Sequence, residues 1–537
     1  MRDNSDERGC YALGNRMLHV LLVASYFSVL LGLSAYGLHR LHLVYLCRKH
    51  RRQIAAGQVA PTLTEEELPR VTIQLPLFNE STVAARLLDA VALMDYPADK
   101  LEIQVLDDST DETKLLVEMH VERLRERGVD AVYIHRVDRT GYKAGALDNG
   151  LKVAKGELVA IFDADFVPQP EFLRSIVGHF KDPQVAVVQT RWGHINREHS
   201  ILTQVQALML DGHHLVENRA RFGAGLLFNF SGTGGMWRKA AIDDAGGWEH
   251  DTLTEDLDLS YRAQLKGWKF VYREDVVSPS ELPEDLSAVR AQQYRWAKGT
   301  VQTARKLMKR VLSSELSFSQ RLEAFFHMTP HFAYPLLVLL SVMLLPALVL
   351  LPATNTLAMI IVDLPLCTAT TGSLLAFYML AESAQGRPRL GAAKRLPMII
   401  ALGTGLAPHL SKAVLEGWQH MAGEFVRTPK HGVKKGRYTA RAELPMLEMA
   451  LAALSLVSTI ASIHTGHYFA TPFAMLFTIG YGYVATLLVR EQATRRRTVI
   501  EPLAVPERLA AVSEPPPASG EQWVRGAEAE VSANVAA

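Results

Sequence analysis

Cysteine is nearly missing from this chain: Cys10, Cys47 and Cys367 are the three in 537 residues. Their wide separation excludes a zinc site built on paired thiolates and a disulfide framework. None sits in a nucleophile context, so thiol catalysis is not expected. Net charge is equally scarce: at +1 the chain lacks the basic excess of a nucleic-acid binder, and no nucleic-acid partner is expected. A dinucleotide fingerprint is missing too. The Gly-x-Gly-Gly run inside residues 223–235 has no strand-to-helix turn of the right spacing around it.

Apolar sequence is abundant, at 48%, and its distribution sets the class. Residues 18–38 contain no Asp, Glu, Lys or Arg, enough for one bilayer crossing. Arg48, Lys49, Arg51 and Arg52 follow and by the positive-inside rule place the next segment in the cytosol. A cleavable signal peptide is the weaker reading, because the span is long for one and no small-residue cleavage pattern follows. Further crossings are expected at 335–351, 357–380, 447–463 and 469–489. Residues 396–418 lie between two basic, cytosol-type segments and carry His409, Lys412 and Glu416. They are expected to form an interfacial or re-entrant helix, with a sixth crossing as the alternative.

Between residues 70 and about 190, short apolar runs alternate with helical patterns. Strands are expected at 71–75, 101–106, 131–135, 158–162 and 185–189. Helices are expected from Ser81, with Val83, Leu87, Leu88 and Val91 on one side, and over 112–127, closed by Gly128. That alternation predicts an α/β fold with a mostly parallel sheet, binding its ligand at the carboxyl edge. Residues 195–280 are mixed. A basic helical stretch over 286–312, with Phe325 and Phe326 beyond it, is expected to lie on the membrane surface. The expected organisation is an anchor at 1–50, a catalytic domain at 70–285 and interfacial helices at 286–330. Membrane helices follow at 331–490 with a cytosolic loop at 425–435, and then a disordered tail at 491–537.

Five places could carry chemistry. Asp163-Ala164-Asp165 closes the run 158–162. Residues two apart on an extended strand point to one side, so both carboxylates aim at one spot, where a divalent cation carrying a diphosphate finds hard oxygen ligands. Such a pair alone is common in solvated turns. Asp107 and Asp108 end the second strand; Ser109, Thr110 or Asp111 beside them caps a helix, or an Asp holds a base or ribose. Gly141-Tyr142-Lys143 opens a helix whose backbone N–H groups and lysine suit a phosphate. Thr254-Glu255-Asp256 begins another helix, with Thr252 and Glu255 spaced as a capping box; one of these acids can instead act as a general base. In Gln292-Gln293-Tyr294-Arg295-Trp296, residues 292, 295 and 296 share a helix face, joining a guanidinium fork for a diphosphate to an indole plate for a sugar.

Asp-Asp, Asp-x-Asp, Thr-Glu-Asp and Gln-x-x-Arg-Trp, in that order ahead of a membrane bundle, resemble the processive family 2 glycosyltransferases of the cellulose synthase superfamily. The resemblance is strongest to the cellulose-synthase-like A and C groups, which make mannan or glucomannan and xyloglucan backbones. It is carried by Gln74-Leu75-Pro76-Leu77-Phe78-Asn79-Glu80, Gly141-Tyr142-Lys143-Ala144-Gly145, residues 159–166 and Ala245-Gly246-Gly247-Trp248. It implies a GT-A, Rossmann-like nucleotide-diphospho-sugar transferase domain with an α-helical multi-pass membrane domain.

By the same resemblance, Asn79, Glu80, Asp107 and Asp108 line the nucleotide pocket, and Lys143, Asp163, Gln292 and Arg295 hold the diphosphate. Asp163 and Asp165 carry Mg2+ or Mn2+. Asp256 is the base, with Glu255 and Trp296 at the acceptor. Phe425, Thr428 and Lys430 resemble a gating loop in which Arg427 replaces the usual valine. The family's bacterial cyclic-dinucleotide domain is expected to have no counterpart.

The implied activity is inverting transfer of a hexose, from UDP-glucose first and GDP-mannose next, to a growing β-linked polysaccharide coupled to export. A single-transfer enzyme making a β-glycolipid such as glucosyldiacylglycerol is the alternative, and a receptor or transporter with an inactive sugar domain is a more distant one. The implied partners are a nucleotide sugar, a glycan or lipid acceptor and a bilayer. The bilayer is expected to be a bacterial cytoplasmic membrane, or a Golgi membrane if the source is eukaryotic.

Overall fold

The computed structural model describes residues 4–350, 356–423, 444–468 and 470–500. Its centre is a seven-stranded sheet ordered β3-β2-β1-β4-β6-β5-β7. The strands are β1 (Val71–Leu77), β2 (Leu101–Asp107), β3 (Ala131–His135), β4 (Leu158–Ile161), β5 (Val185–His194), β6 (Gly235–Arg238) and β7 (Lys269–Ser280). All five expected strands form. Pairing is parallel except at β6, which runs antiparallel to β4 and β5 on either side. β6 and β7 lie within the stretch whose pattern is mixed.

The alternation Val71-Thr72-Ile73-Gln74-Leu75 explains the two faces of β1. Val71, Ile73 and Leu75 enter the apolar core. Thr72 and Gln74 are fully buried on the other face and pair in register with Glu102 and Gln104 of β2. The Thr72 hydroxyl donates to Glu102 at 2.6 Å, and the Gln74 amide to Gln104 at 3.0 Å. Buried polar groups are tolerated only when bonded, and this ladder is closed from outside. Gly156 N–H donates to Thr72 Oγ1 at 2.9 Å and Lys155 N–H to Glu102 at 2.9 Å. The turn ahead of β4 is thereby fastened to β1 and β2.

Among the described residues, five helices are long and apolar enough to cross a membrane: Val20–Lys49, Pro330–Leu350, Arg389–Gln419, Met446–His464 and Thr471–Thr494. This is a multi-pass membrane protein. The expected crossing at 357–380 lies within a further helix, Thr356–Ala384. Residues 396–418, expected to be interfacial or re-entrant, contain no turn at which the chain could double back. They belong to one unbroken helix, Arg389–Gln419, and 61% of its apolar window is buried inside the protein. Its Gly405 packs so tightly that a Cβ would lie 2.4 Å from Gly480 O on the last helix, the close approach small residues permit. The loop residues Phe425, Thr428 and Lys430 and most of the expected tail lie outside the described residues.

Thr72→Val keeps the shape but removes the hydroxyl that bridges Glu102 and Gly156. Leaving those groups unsatisfied typically costs about 1–3 kcal/mol, so thermal unfolding of the purified protein is expected at a lower midpoint. An unchanged midpoint would show that the ladder contributes nothing.

Candidate active site

The strand order reverses at the boundary between β1 and β4, and in open α/β sheets such a reversal leaves a crevice at the carboxyl ends. Leu77 at the end of β1, Phe78 and Glu80 after it, Asp108 after β2 and Asp163–Asp165 after β4 all line one cleft there. Because β6 runs the other way, its leading residues Ser231 and Gly232 reach the same edge. The start of the helix Glu255–Leu265 and the first turns of the helix Leu286–Leu312 close it.

Ten of the residues singled out from sequence meet in this cleft: Glu80, Asp108, Lys143, Asp163, Asp165, Glu255, Asp256, Gln292, Arg295 and Trp296. Two others do not line it. Asp107 is fully buried, accepting from Tyr133 OH at 2.8 Å and Ser109 N–H at 3.0 Å. Asn79, in a left-handed conformation with φ 55°, bonds across the ends of β1 and β2 to Thr110 N–H (2.8 Å). The Thr252–Glu255 capping box does not form. Thr254 is the N-cap residue and its side chain makes no cap bond. The Thr254 hydroxyl instead meets that of Thr303 at 3.1 Å.

Lys143 sits in the first turn of the helix Tyr142–Leu151 behind Gly141, whose φ is 77°. Its ammonium donates to Asp163 Oδ1 at 2.5 Å and to Gly232 O at 3.0 Å. Burial works to discharge it, but Asp163, Glu255 and Asp256 hold its pKa above the usual lysine value. Burial lowers the pKa of Arg295 against the pull of Glu255, Asp163, Asp256 and Asp165. Burial, reinforced by the neighbouring Glu255, pushes Asp256 up to about 7. Glu255 is raised in the same way.

Sequence reasoning missed several neighbours. Arg136 clamps Asp108 through two bonds, at 2.8 and 2.6 Å. It follows β3 where Asp108 follows β2, so adjacent strand ends were the available signal. The guanidinium carbon of Arg139 stands over Phe78, 3.3 Å from the ring centre. Glu281 lines the cleft and is held by Arg86 at 3.0 Å. Trp192, at the end of β5, adds a second indole, with its N–H on Thr233 O at 3.3 Å.

Seven carboxylates line the cleft against three cationic side chains. With Asp108 and Glu281 neutralised by Arg136 and Arg86, an excess of negative charge stays at the place where an anionic ligand would sit. A hard-oxygen donor set of this kind fits a divalent cation. A second acidic group, Glu249, Asp251 and Asp258, has donor atoms within 4.8 Å of one another. There the Lys306 ammonium stands among them, at 2.5, 2.6 and 3.0 Å.

An acidic, cation-compatible cleft at the switch point of a Rossmann-like sheet, in a chain with membrane-length helices, defines a membrane-bound nucleotide-sugar transferase of the GT-A type. Residues 69–299 match the family described as Glycosyltransferase like family 2. The chain is 34% identical over 450 residues to Glucomannan 4-beta-mannosyltransferase 1 of Oryza sativa subsp. japonica, covering 80% of this chain and 85% of that protein. It is 44% identical over 265 residues to Glucomannan 4-beta-mannosyltransferase 2 of Arabidopsis thaliana, covering 48% and 50%. A solved structure titled "Mannosyltransferase PcManGT from Pyrobaculum calidifontis in complex with GDP-Man and Mn2+" aligns at 23% identity and TM-score 0.46, over 67% of this chain and 98% of that one.

The chain therefore belongs to the family 2 glycosyltransferases, in the cellulose-synthase-like group with the glucomannan mannosyltransferases. It is an inverting, membrane-embedded glycosyltransferase, and the glycolipid and receptor readings are not favoured.

Gly232 has φ 80°, and a Cβ there would lie 3.1 Å from Asp256 Oδ2 and 3.6 Å from Lys143 Nζ. Gly232→Ala is expected to lower turnover by at least about ten-fold, since ångström-scale displacement of reacting groups can cost about 100-fold. Steady-state kinetics check it; full activity would show that the cleft tolerates the shift.

Proposed function

We propose that the chain transfers mannose from a nucleotide-linked donor, GDP-mannose first and UDP-glucose as a second donor, to the end of a β-linked mannan or glucomannan. The activity in the names of its relatives supports mannose as the sugar. The observation that carries the reading is the convergence of Lys143, Asp163, Asp165, Asp256, Arg295 and Trp296 on one cleft.

In this reading Asp256 takes the proton from an acceptor hydroxyl, whose oxygen attacks the anomeric carbon. The bond from that carbon to the diphosphate oxygen breaks on the opposite face. One displacement inverts an α-linked donor to a β-glycoside. Lys143 and Arg295 balance charge on the leaving diphosphate, and Gln292 hydrogen-bonds to it. Asp163 and Asp165 would hold a Mg2+ or Mn2+ ion, which supplies further charge neutralisation there when bound. Glu80 and Asp108, with the Phe78–Arg139 stack, border the nucleoside. Trp296 offers its face to the terminal sugar.

The 70–285 segment is the catalytic domain, facing the cytosol by virtue of the basic residues after the first apolar helix. The bilayer helices lead the product away. The reported relatives are plant proteins, so the expected bacterial membrane gains no support from them.

Three measurements test this. Asp256→Asn is expected to keep donor affinity and lose about 100- to 10,000-fold in kcat, the usual weight of a general base; full activity would refute the assignment. The base works as the carboxylate, and burial raises its pKa to about 7. kcat/KM for the free enzyme should therefore fall as pH drops through about 7, and a flat profile down to pH 5 would contradict it. Purified membranes given labelled GDP-mannose and UDP-glucose should make a β-mannanase-sensitive product; one made from UDP-glucose alone and resistant to that enzyme overturns the sugar.

A further inference from the structure

We propose that Gln302 and Lys306 are positioning residues that set the base-bearing turn, Thr254-Glu255-Asp256, against the diphosphate-facing Arg295. The inference rests on Asp256 being the base.

The segment just before the helix Glu255–Leu265 has no regular secondary structure over residues 249–254, so side chains must fix it. The helix Leu286–Leu312 does so along one stripe. Gln292, Arg295 and Trp296 face the cleft. Residues 299, 302, 303 and 306 continue that face at helical spacing and grip the segment at successive turns.

Gly299 lets the helix backbone press on the N-cap: a Cβ there would lie 2.8 Å from Thr254 N. The Thr303 hydroxyl meets that of Thr254. Gln302 is fully buried; its Oε1 accepts from Leu253 N–H at 3.0 Å, while its amide donates to His420 O at 2.9 Å and Ala422 O at 2.7 Å. Ala422 N–H returns to Asp251 O at 2.7 Å. The amide closes a ring joining the base turn, this helix and the end of the helix Arg389–Gln419. One turn further along, Lys306 draws together Glu249, Asp251 and Asp258. Asp258 is fully buried and held from its other side by Arg262 at 2.7 Å.

A buried amide that satisfies three backbone groups on two segments, and an ammonium that joins three acids, both act on the residues flanking Asp256. Neither side chain lines the cleft. Their effect on the reaction must pass through the placement of the base.

The test uses the full-length protein in membranes. Gln302→Leu and Lys306→Met are each expected to lower kcat by about ten-fold or more, while GDP affinity stays within about two-fold. Lys306→Met leaves the Gln302 bonds in place and reads the same split independently. Lys306→Arg should recover part of the rate. In an Asp256→Asn background, Gln302→Leu should change the residual rate by less than about two-fold, because residues acting through one group are non-additive.

An unchanged kcat in both variants, an equal fall in both backgrounds, or loss of GDP binding in parallel with rate overturns the positioning role. Full activity of Asp256→Asn instead sinks the base assignment beneath it.

Discussion

Carboxylates gathered at one edge of a sheet repel each other by several kcal/mol a pair at about 4 Å in a protein-like medium, and the cleft is arranged around containing that repulsion. Several of the acids are met by cations from different parts of the chain. Lys143, at a helix start, takes Asp163; Arg136, after β3, takes Asp108; Arg86 takes Glu281. Arg295 faces Glu255, Asp163, Asp256 and Asp165 together. The pairs leave the central acids under-neutralised, a surplus that a divalent cation would offset. That same shortage, together with burial, keeps Asp256 basic enough to take a proton near neutral pH.

The helix Leu286–Leu312 ties this chemistry to the membrane portion. One of its faces meets the catalytic domain. Another meets the helix Arg389–Gln419, where Arg290 donates to His409 at 3.0 Å and Tyr294 and Lys298 both reach Glu416, and the helix Met446–His464, where Arg290 pairs with Glu448 at 3.2 Å. Charged side chains on this second face are part-buried against helices of otherwise apolar character, and each is paired. The rod is thus fixed on both sides, and Trp296 of the cleft stands on the element that touches the apolar helices.

Much of this was legible in the sequence. Five strands and the helix at 286–312 follow from apolar periodicity; the cleft residues follow from acids at strand ends, from helix starts and from one shared helix face, with Glu80 added by the family resemblance. β6 escaped because Gly-Met-Trp-Arg is four residues long and starts on glycine. β7 escaped because its exposed Lys269 and Asp275 and part-exposed Glu274 mask the pattern. The unbroken Arg389–Gln419 helix was obscured by Pro397 and Pro408 and by flanking charges that its partners neutralise. Gln302, Lys306 and Glu281 were invisible for a different reason: each matters through a partner far away along the chain, and no local period records such a pairing.

Helical periodicity imposes one more consequence on the Leu286–Leu312 rod. Adding or deleting one residue between Trp296 and Gln302 would turn everything beyond it by about 100°, swinging the Gln302–Lys306 grip toward the bilayer side while Arg295 stayed in place. The interval from 295 to 302 is therefore a phase constraint: its length, apart from any one side chain within it, sets which way the Gln302–Lys306 grip faces.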